Sequence, residues 1–355
     1  MNRHTFFPHV QTYYASLVEQ LAAAQEQISM SYLAFEDGQW AQRILETLRA
    51  KAAAGVRVRM MVDEFGQQLD EPRRLLRNHE IISSLRAAGV DVEVFRPSAP
   101  NVSIRNRMHC KFAAIDGRTA FIGGSNIADY YTAWSDTNIR VDGDLGNSFQ
   151  RVFDFLRGFS RGNEPVAFDP ADLQIGSDHL ILTLPNQCAD IRTALLDLIR
   201  SADQSLHLRT WYFLPDAEIM DALCAQARRG VQVNVMFSHQ TRVRPVDFAN
   251  HIPVRQLVRA GGNVYRYAGS YLHSKVAWNN RGDILLGSAN LDAHSMRINF
   301  ESCLQMYDAS LAWDLRRAFV NDQPACLFQT RETCERRSLA DRILSHTCNL
   351  AAPWL

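Results

Sequence analysis

Two apolar patterns alternate along the chain. Short continuous apolar runs read as buried strands, and apolar residues at three- and four-residue spacing read as amphipathic helices. Residues 9–27 set Leu17, Val18 and Leu21 at helical spacing, and ISMSYLAF (28–35) is a strand. A helix over 39–54 stops at Gly55, and VRVRMMVDE (56–64) is a strand that ends in acidic residues. A polar, arginine-rich segment (67–78) precedes a helix at about 79–88 that stops at Gly89, a strand VDVEVF (90–95) and a loop (96–107). The order then repeats. A helix over 189–203 is followed by the strand SLHLRTWYF (205–213), a helix over 216–229 stopped by Gly230, and the strand VQVNVMF (231–237). A loop, a helix over 247–260 stopped by Gly261-Gly262, and the strand NVYRY (263–267) complete it. Each half reads β-α-β-loop-α-β-hairpin. That predicts an α/β fold of two repeated α/β/α halves, each a mixed sheet flanked by helices, related by a pseudo-twofold axis.

Between the halves, an aromatic-rich helix (149–159) gives way to the polar, Pro-containing run RGNEPVAFDPAD. The expected division is a first half over 1–160, a linker over 161–188, a second half over 189–310 and a C-terminal helical segment over 311–355. In that segment SLAWDLRRAFVND is one helix and residues 331–346 are another, with no catalytic pattern in either.

The hairpin that closes each half is the most informative stretch. Residues 109–126 read HCKFAAIDGRTAFIGGSN and residues 273–290 read HSKVAWNNRGDILLGSAN. In both, a Lys follows the His by two residues, a Gly by fourteen and an Asn by seventeen. Strand residues two apart point to the same side, so His109 and Lys111 project together, as do His273 and Lys275. Cys110 alternates to the opposite side and reads as core. Gly123, Gly124 and Gly287 allow close approach to the backbone. Asn126 and Asn290 stand at strand ends. Two imidazoles, two ammonium groups and two amides meeting in one site suit a phosphoryl group, whose charge spreads over its oxygens. One His can be the nucleophile and the other the general acid, then base.

These residues resemble the phospholipase D superfamily, whose signature is H-x-K, four residues, Asp, six residues, G-G-x-N. The second copy continues GSANLDAHSMRINFE, similar to bacterial cardiolipin synthases, as are WYFLPD (211–216) and WSDTNIRVDG (134–143). The resemblance spans about residues 25–310. It implies a single active site between the halves. There His109 is the nucleophile that forms a phosphohistidine, and His273 protonates the leaving alcohol and deprotonates the next, the near-symmetry of the two copies leaving the reverse assignment as the alternative. Lys111, Lys275, Asn126 and Asn290 hold the phosphoryl oxygens, and Ser125 and Ser288 are either minor donors or turn-formers. Glu301, twenty-eight residues after His273, is the carboxylate that orients an imidazole, and Asp136, twenty-seven after His109, is its counterpart or a surface carboxylate. Asp116 supports its hairpin, and the second copy has Asn280 there. The implied reaction moves a phosphatidyl group from phosphatidylglycerol to a second lipid alcohol. Hydrolysis to phosphatidic acid and cleavage of nucleic-acid phosphodiesters are the alternatives; a non-catalytic scaffold is disfavoured by the intact His, Lys and Asn of both copies.

Composition changes this picture little. The chain has 355 residues, 46% hydrophobic and 21% charged, enough for two cores of ordinary size. A formal net charge of zero gives no bulk attraction to nucleic acid. Seven Cys with no C-x-x-C pair fit a reducing compartment. No metal-ligand spacing or cofactor motif appears, and the lysines supply the cations, so neither metal nor cofactor is expected. The N-terminus lacks a signal-peptide pattern and no apolar run is long enough to span a bilayer. The expected location is therefore the cytoplasm, peripheral to the inner face of the bacterial cell membrane. Arg105 and Arg107 before the first motif, and Arg242 and Arg244 in the matching loop, either meet anionic headgroups or are ordinary solvated charge. The aromatic N-terminus (Phe6, Phe7, Tyr13, Tyr14) reads as packing on the body. The remaining histidines read as structural or exposed, His239 being distinguished by its place at the end of a strand.

Overall fold

A computed structural model describes residues 2–68, 72–96, 103, 105–162 and 170–351. The first half builds a seven-stranded sheet from β1 (Arg3–Phe7), β2 (Gln27–Tyr32), β3 (Arg57–Asp63), β4 (Asp91–Phe95), β5 (Phe112–Ile115), β6 (Thr119–Gly123) and β7 (Asn138–Asp142), in the order β1-β7-β6-β5-β2-β3-β4. Its helices are α1 (Val10–Ala23), α2 (Gln39–Ala53), α3 (Pro72–Ala87) and α4 (Leu145–Ser160). The second half has β8 (Gln174–Ile175), β9 (Asp178–Leu184), β10 (Cys188–Ala189), β11 (Ser205–Thr210), β12 (Gln232–Ser238), β13 (Asn263–Tyr267), β14 (Val276–Asn279), β15 (Asp283–Gly287), β16 (Glu301–Tyr307) and β17 (Cys326–Gln329). They pair in the order β10-β9-β16-β15-β14-β11-β12-β13-β17, with β8 on β9. The helices here are α5 (Asp190–Ser201), α6 (Ala217–Arg228), α7 (Arg244–Ala249), α8 (His251–Ala260), α9 (Ala293–Arg297), α10 (Ala309–Asp322), α11 (Arg331–Glu335) and α12 (Leu339–Leu350).

The sheets repeat one topology. In each, three parallel strands (β2-β3-β4, β11-β12-β13) are connected through helices, and the motif hairpin (β5-β6, β14-β15) adds antiparallel to the first of them. Among the described residues, three large apolar cores separate the layers. Helices α1–α3 cover the outer face of the first sheet with Leu17, Ile44 and Leu85, and α5, α6 and α8 cover the second with Leu195, Leu223 and Leu257. The inner faces share one core through α4 and α10, where Phe112, Phe149, Phe153, Leu180, Trp278 and Leu315 are all buried. Cys110 is buried in that shared core, as its alternation predicts.

Sequence patterning misplaced several elements. The stretch 161–188, expected as a linker, carries β8, β9 and the start of β10. β9 pairs with β16 just as β1 pairs with β7, so each half begins with an antiparallel strand that patterning missed. The polar run that opens the linker lies mostly in residues 163–169, outside the described residues. The arginine-rich segment from 72 onward is the start of α3, with Pro72 at the first helical position, where its missing N–H costs nothing. The helix expected over 247–260 is two helices. Pro253 has no N–H to donate to Ala249, whose carbonyl accepts from Asn349 Nδ2 instead (3.3 Å). The helix expected over 331–346 also divides, because Ser338 caps a new helix by accepting from Asp341 N–H (3.1 Å). Of the aromatic N-terminus, Phe7, Tyr13 and Tyr14 are core residues.

Candidate active site

The two H-x-K segments enter their hairpins at the seam between the halves, and each is pinned there by backbone from the opposite half. His109 N–H donates to Phe300 C=O and Phe300 N–H to Arg107 C=O, both at 2.8 Å. In the mirrored position His273 N–H donates to Ser135 C=O (2.8 Å) and Ser135 N–H to Tyr271 C=O (2.9 Å). Phe300 and Ser135 each directly precede a carboxylate. The carboxylates consequently serve the opposite half. His109 Nδ1 meets Glu301 at 2.8 and 2.9 Å, and His273 Nδ1 meets Asp136 at 2.9 Å. The His spacing within each half had suggested orienting groups of this kind but not the exchange between halves.

The supporting groups follow the same symmetry. Ser125 Oγ donates to Asp136 (2.9 Å) and Ser288 Oγ to Glu301 (2.5 Å), so both serines fix carboxylates. Gly124 is required by close approach: a Cβ there would overlap the Asp136 carboxylate and lie 2.8 Å from His273 C=O. Lys111 Nζ donates to His109 C=O (2.9 Å), and Lys275 Nζ donates to His273 C=O. Asn126 accepts from Ala34 N–H (3.3 Å) and donates to Tyr131 Oη (2.8 Å), which leaves one amide hydrogen for a ligand. Asn290 is buried, and its Oδ1 has no partner among the described residues.

Asp116 and Asn280 stand at the far turns of the hairpins, away from the imidazoles. Asp116 accepts from the N–H groups of Gln25, Glu26 and Gln27, each at 2.8 Å. Asn280 accepts from Asp203, Gln204 and Ser205 (3.4, 3.1 and 3.2 Å), so the amide does the carboxylate's work in the second copy. Arg107 stacks on Phe65, 4.1 Å from the ring centroid, and Arg105 approaches His294 (3.3 Å). Arg242 lies over Tyr130 and Trp134 at 4.5 and 4.9 Å, and Arg244 opens α7, exposed.

Electrostatics make the halves unequal. Burial lowers the proton affinity of His109, and Lys111 and Lys275 add to this against Glu301. Burial, Lys275, Lys111, His109 and Arg242 hold His273 well below the ordinary imidazole value. Burial also pulls Lys111 down to about 8 and Lys275 down to about 7. Glu301 is pushed up by burial, but His109, Lys111 and Ser288 together hold it below the usual carboxylate value. Asp136 is pushed up by burial to about 6, against Lys275, Thr137 N–H and Ser125. A neutral imidazole facing an ionised carboxylate through Nδ1 must carry its proton there, so Nε2 keeps its lone pair for chemistry.

The surroundings also differ. The His109 side chain is 12% exposed and the His273 side chain 2%. His273 is packed by Trp211, Tyr131 and Trp134 at centroid distances of 4.5, 5.2 and 5.6 Å. Trp134 and Tyr271 also line a neighbouring cavity of about 370 Å³ that His239 and Tyr267 complete. The residue-by-residue reading did not assign this aromatic wall. Its signal was present, since Trp134 and Trp211 open the two stretches with family resemblance.

The sequence profile described as "Cardiolipin synthase, PLD-like domain" matches residues 17–152 and 195–323. Cardiolipin synthase 1 of Staphylococcus epidermidis is 30% identical over all of this chain and 74% of its own length. The major cardiolipin synthase ClsA of Bacillus subtilis is 28% identical over 96% of this chain and 72% of its own. Among solved structures, phosphatidylserine synthase of Haemophilus influenzae superposes with a TM-score of 0.80 over 99% of this chain and 95% of that one, at 14% identity. Polyphosphate kinase of Porphyromonas gingivalis gives 0.62 over 100% of this chain and 53% of that one, at 16% identity. The structural likenesses establish the shared two-half fold, and the profile covers both halves including both H-x-K hairpins. The chain therefore belongs to the cardiolipin synthase family of phospholipase D-like enzymes.

Proposed function

We propose that this enzyme is a phosphatidyltransferase that moves a phosphatidyl group from phosphatidylglycerol to a second lipid alcohol through a phosphohistidine. The observation that carries the reading is the exchanged pairing, His109 with Glu301 and His273 with Asp136, which gives one cleft two oriented imidazoles of unequal character. His109 is the nucleophile. It is the more exposed imidazole, and its partner Glu301 is held ionised, which favours electron density at Nε2. Nε2 attacks phosphorus, the P–O bond to the headgroup glycerol breaks, and His273 gives that oxygen a proton. The acceptor hydroxyl then loses its proton to His273 and attacks phosphorus, and the P–N bond to His109 breaks. The phosphodiester anion itself readies the site. Its negative charge raises the proton affinity of Lys111, Lys275 and His273, which burial and mutual repulsion depress in the free enzyme. Lys111, Lys275, Asn126 and Asn290 hold its non-bridging oxygens. The aromatic wall keeps the His273 side of the cleft dry, and a dry cleft favours an alcohol over water as acceptor. We place the enzyme at the inner face of the bacterial cell membrane, as a peripheral protein that draws both substrates from the bilayer.

Product analysis with phosphatidylglycerol vesicles tests this, with and without EDTA, beside His109→Ala and His273→Ala. The reading expects cardiolipin and glycerol, unaffected by EDTA and lost in both variants. Phosphatidic acid would make water the acceptor on the same two-His mechanism. Cleavage of single-stranded DNA with no lipid turnover would replace the lipid reading with a nuclease.

A further inference from the structure

Helix α12 is amphipathic in the reverse of the usual sense. Its inward face is small and polar: Ser345 is buried and bonds His251 (3.0 Å), and Asn349 donates to Ala249 C=O (3.3 Å). Its outward face carries Leu339, Ile343 and Leu350, which are 74%, 60% and 78% exposed. At 100° per residue these three fall within about 40° of one another, a single stripe along the helix. A helix that only packed on the body would turn this stripe inward.

We propose that α12 is a membrane-docking helix whose outward stripe enters the interfacial region of an anionic bilayer. Charge argues for that occupant. Residues 242–259 and 331–351, the segments packed together here, carry eight arginines against four acidic residues, in a chain of zero formal net charge. Arg244, Arg336 and Arg342 are exposed among them, Arg336 pairing with Glu332 and Arg342 donating to Glu335 C=O (2.7 Å), a surplus of cations suited to anionic headgroups. Position argues for it too. Cys348 on the inner face of α12 and Tyr212 both pack against a small core of Leu214, Val246 and Ala249. Tyr212 stacks on Trp211 at 4.7 Å, and Trp211 touches His273. The inner face of α12 is thus joined through this small core and Tyr212 to the aromatic wall of the active site. Naming the bilayer as occupant rests on the phosphatidyl-transfer reading.

The test is co-sedimentation of the full chain with vesicles of phosphatidylglycerol and phosphatidylcholine, and with phosphatidylcholine alone. Leu339→Ser/Ile343→Ser should lower partitioning onto the mixed vesicles roughly tenfold or more, given what two apolar side chains contribute on leaving water. Leu339→Met/Ile343→Met should keep it. Both should unfold at the wild-type temperature, since the side chains are exposed. Equal partitioning of the Ser variant and wild type overturns the proposal. So does light scattering that shows a wild-type dimer made monomeric by the Ser variant, which identifies a second copy as the occupant. Vesicle binding through α12 without any phospholipid product would keep the docking helix and overturn the phosphatidyl-transfer reading. Cardiolipin formation with partitioning indifferent to α12 would do the reverse.

Discussion

Glu301→Gln separates a carboxylate that merely fills space from one that drives His109. The side chain is fully buried and accepts from His109 Nδ1 at 2.8 and 2.9 Å and from Ser288. Gln has nearly the same shape but offers one acceptor and one donor group, so at least one of its former donors meets an N–H. Losing a buried hydrogen bond to a charged group costs about 1.5–3 kcal/mol. If that loss falls on the transition state, the rate drops roughly 10- to 150-fold. KM should change little, because Glu301 touches His109 and not the lipid. A second readout has a definite sign. Glu301 raises the proton affinity of His109 against burial and the two lysines. Removing its charge lowers the His109 pKa further, so the acid limb of kcat/KM moves to lower pH. Product formation on phosphatidylglycerol vesicles, followed by mass spectrometry across pH, measures both. A wild-type rate, or an acid limb that moves upward, would refute the pairing as the source of reactivity.

Three further outcomes follow from the same geometry. In the wild type, kcat/KM falls below the ordinary imidazole range as His109 takes up a proton, and falls again as pH rises through about 7 to 8, where Lys275 and Lys111 lose theirs; a profile flat from pH 6 to pH 9 contradicts the buried-lysine account. Gly124→Ala forces a methyl group into the Asp136 carboxylate, so it should abolish most activity and destabilise the protein by about 1–3 kcal/mol, read by denaturant unfolding. Asp116→Ala leaves three backbone N–H groups without their acceptor far from the imidazoles; about 1–2 kcal/mol of stability should be lost while kcat stays within about twofold of wild type.

The local half of this architecture was legible in the sequence because it repeats. Apolar runs, stop glycines and the matched His, Lys, Gly and Asn offsets all act over a few residues, and they place the parallel strands and hairpins correctly. What patterning missed depends on distant partners. β1 and β9 form their ladders with β7 and β16, far along the chain. The exchange of carboxylates joins residues 192 and 137 positions apart, and spacing alone had set Glu301 beside His273 and Asp136 beside His109 in sequence. The serines were ambiguous for the same reason, since a donor to substrate and a donor to a buried carboxylate look alike in sequence. The aromatic wall was visible as two tryptophan-led stretches, but only folding brings Trp134 and Trp211 onto one imidazole.

In the proposed mechanism His109 carries the phosphatidyl group while His273 moves protons. Wild-type enzyme turning over phosphatidylglycerol can be quenched in alkali, which preserves a phosphorus–nitrogen bond, and the modified peptide sequenced by mass spectrometry. A phosphatidyl adduct is expected on the peptide that contains His109, and none on the peptide that contains His273. An adduct on His273, or cardiolipin formation with no covalent adduct at any quench time, would contradict it.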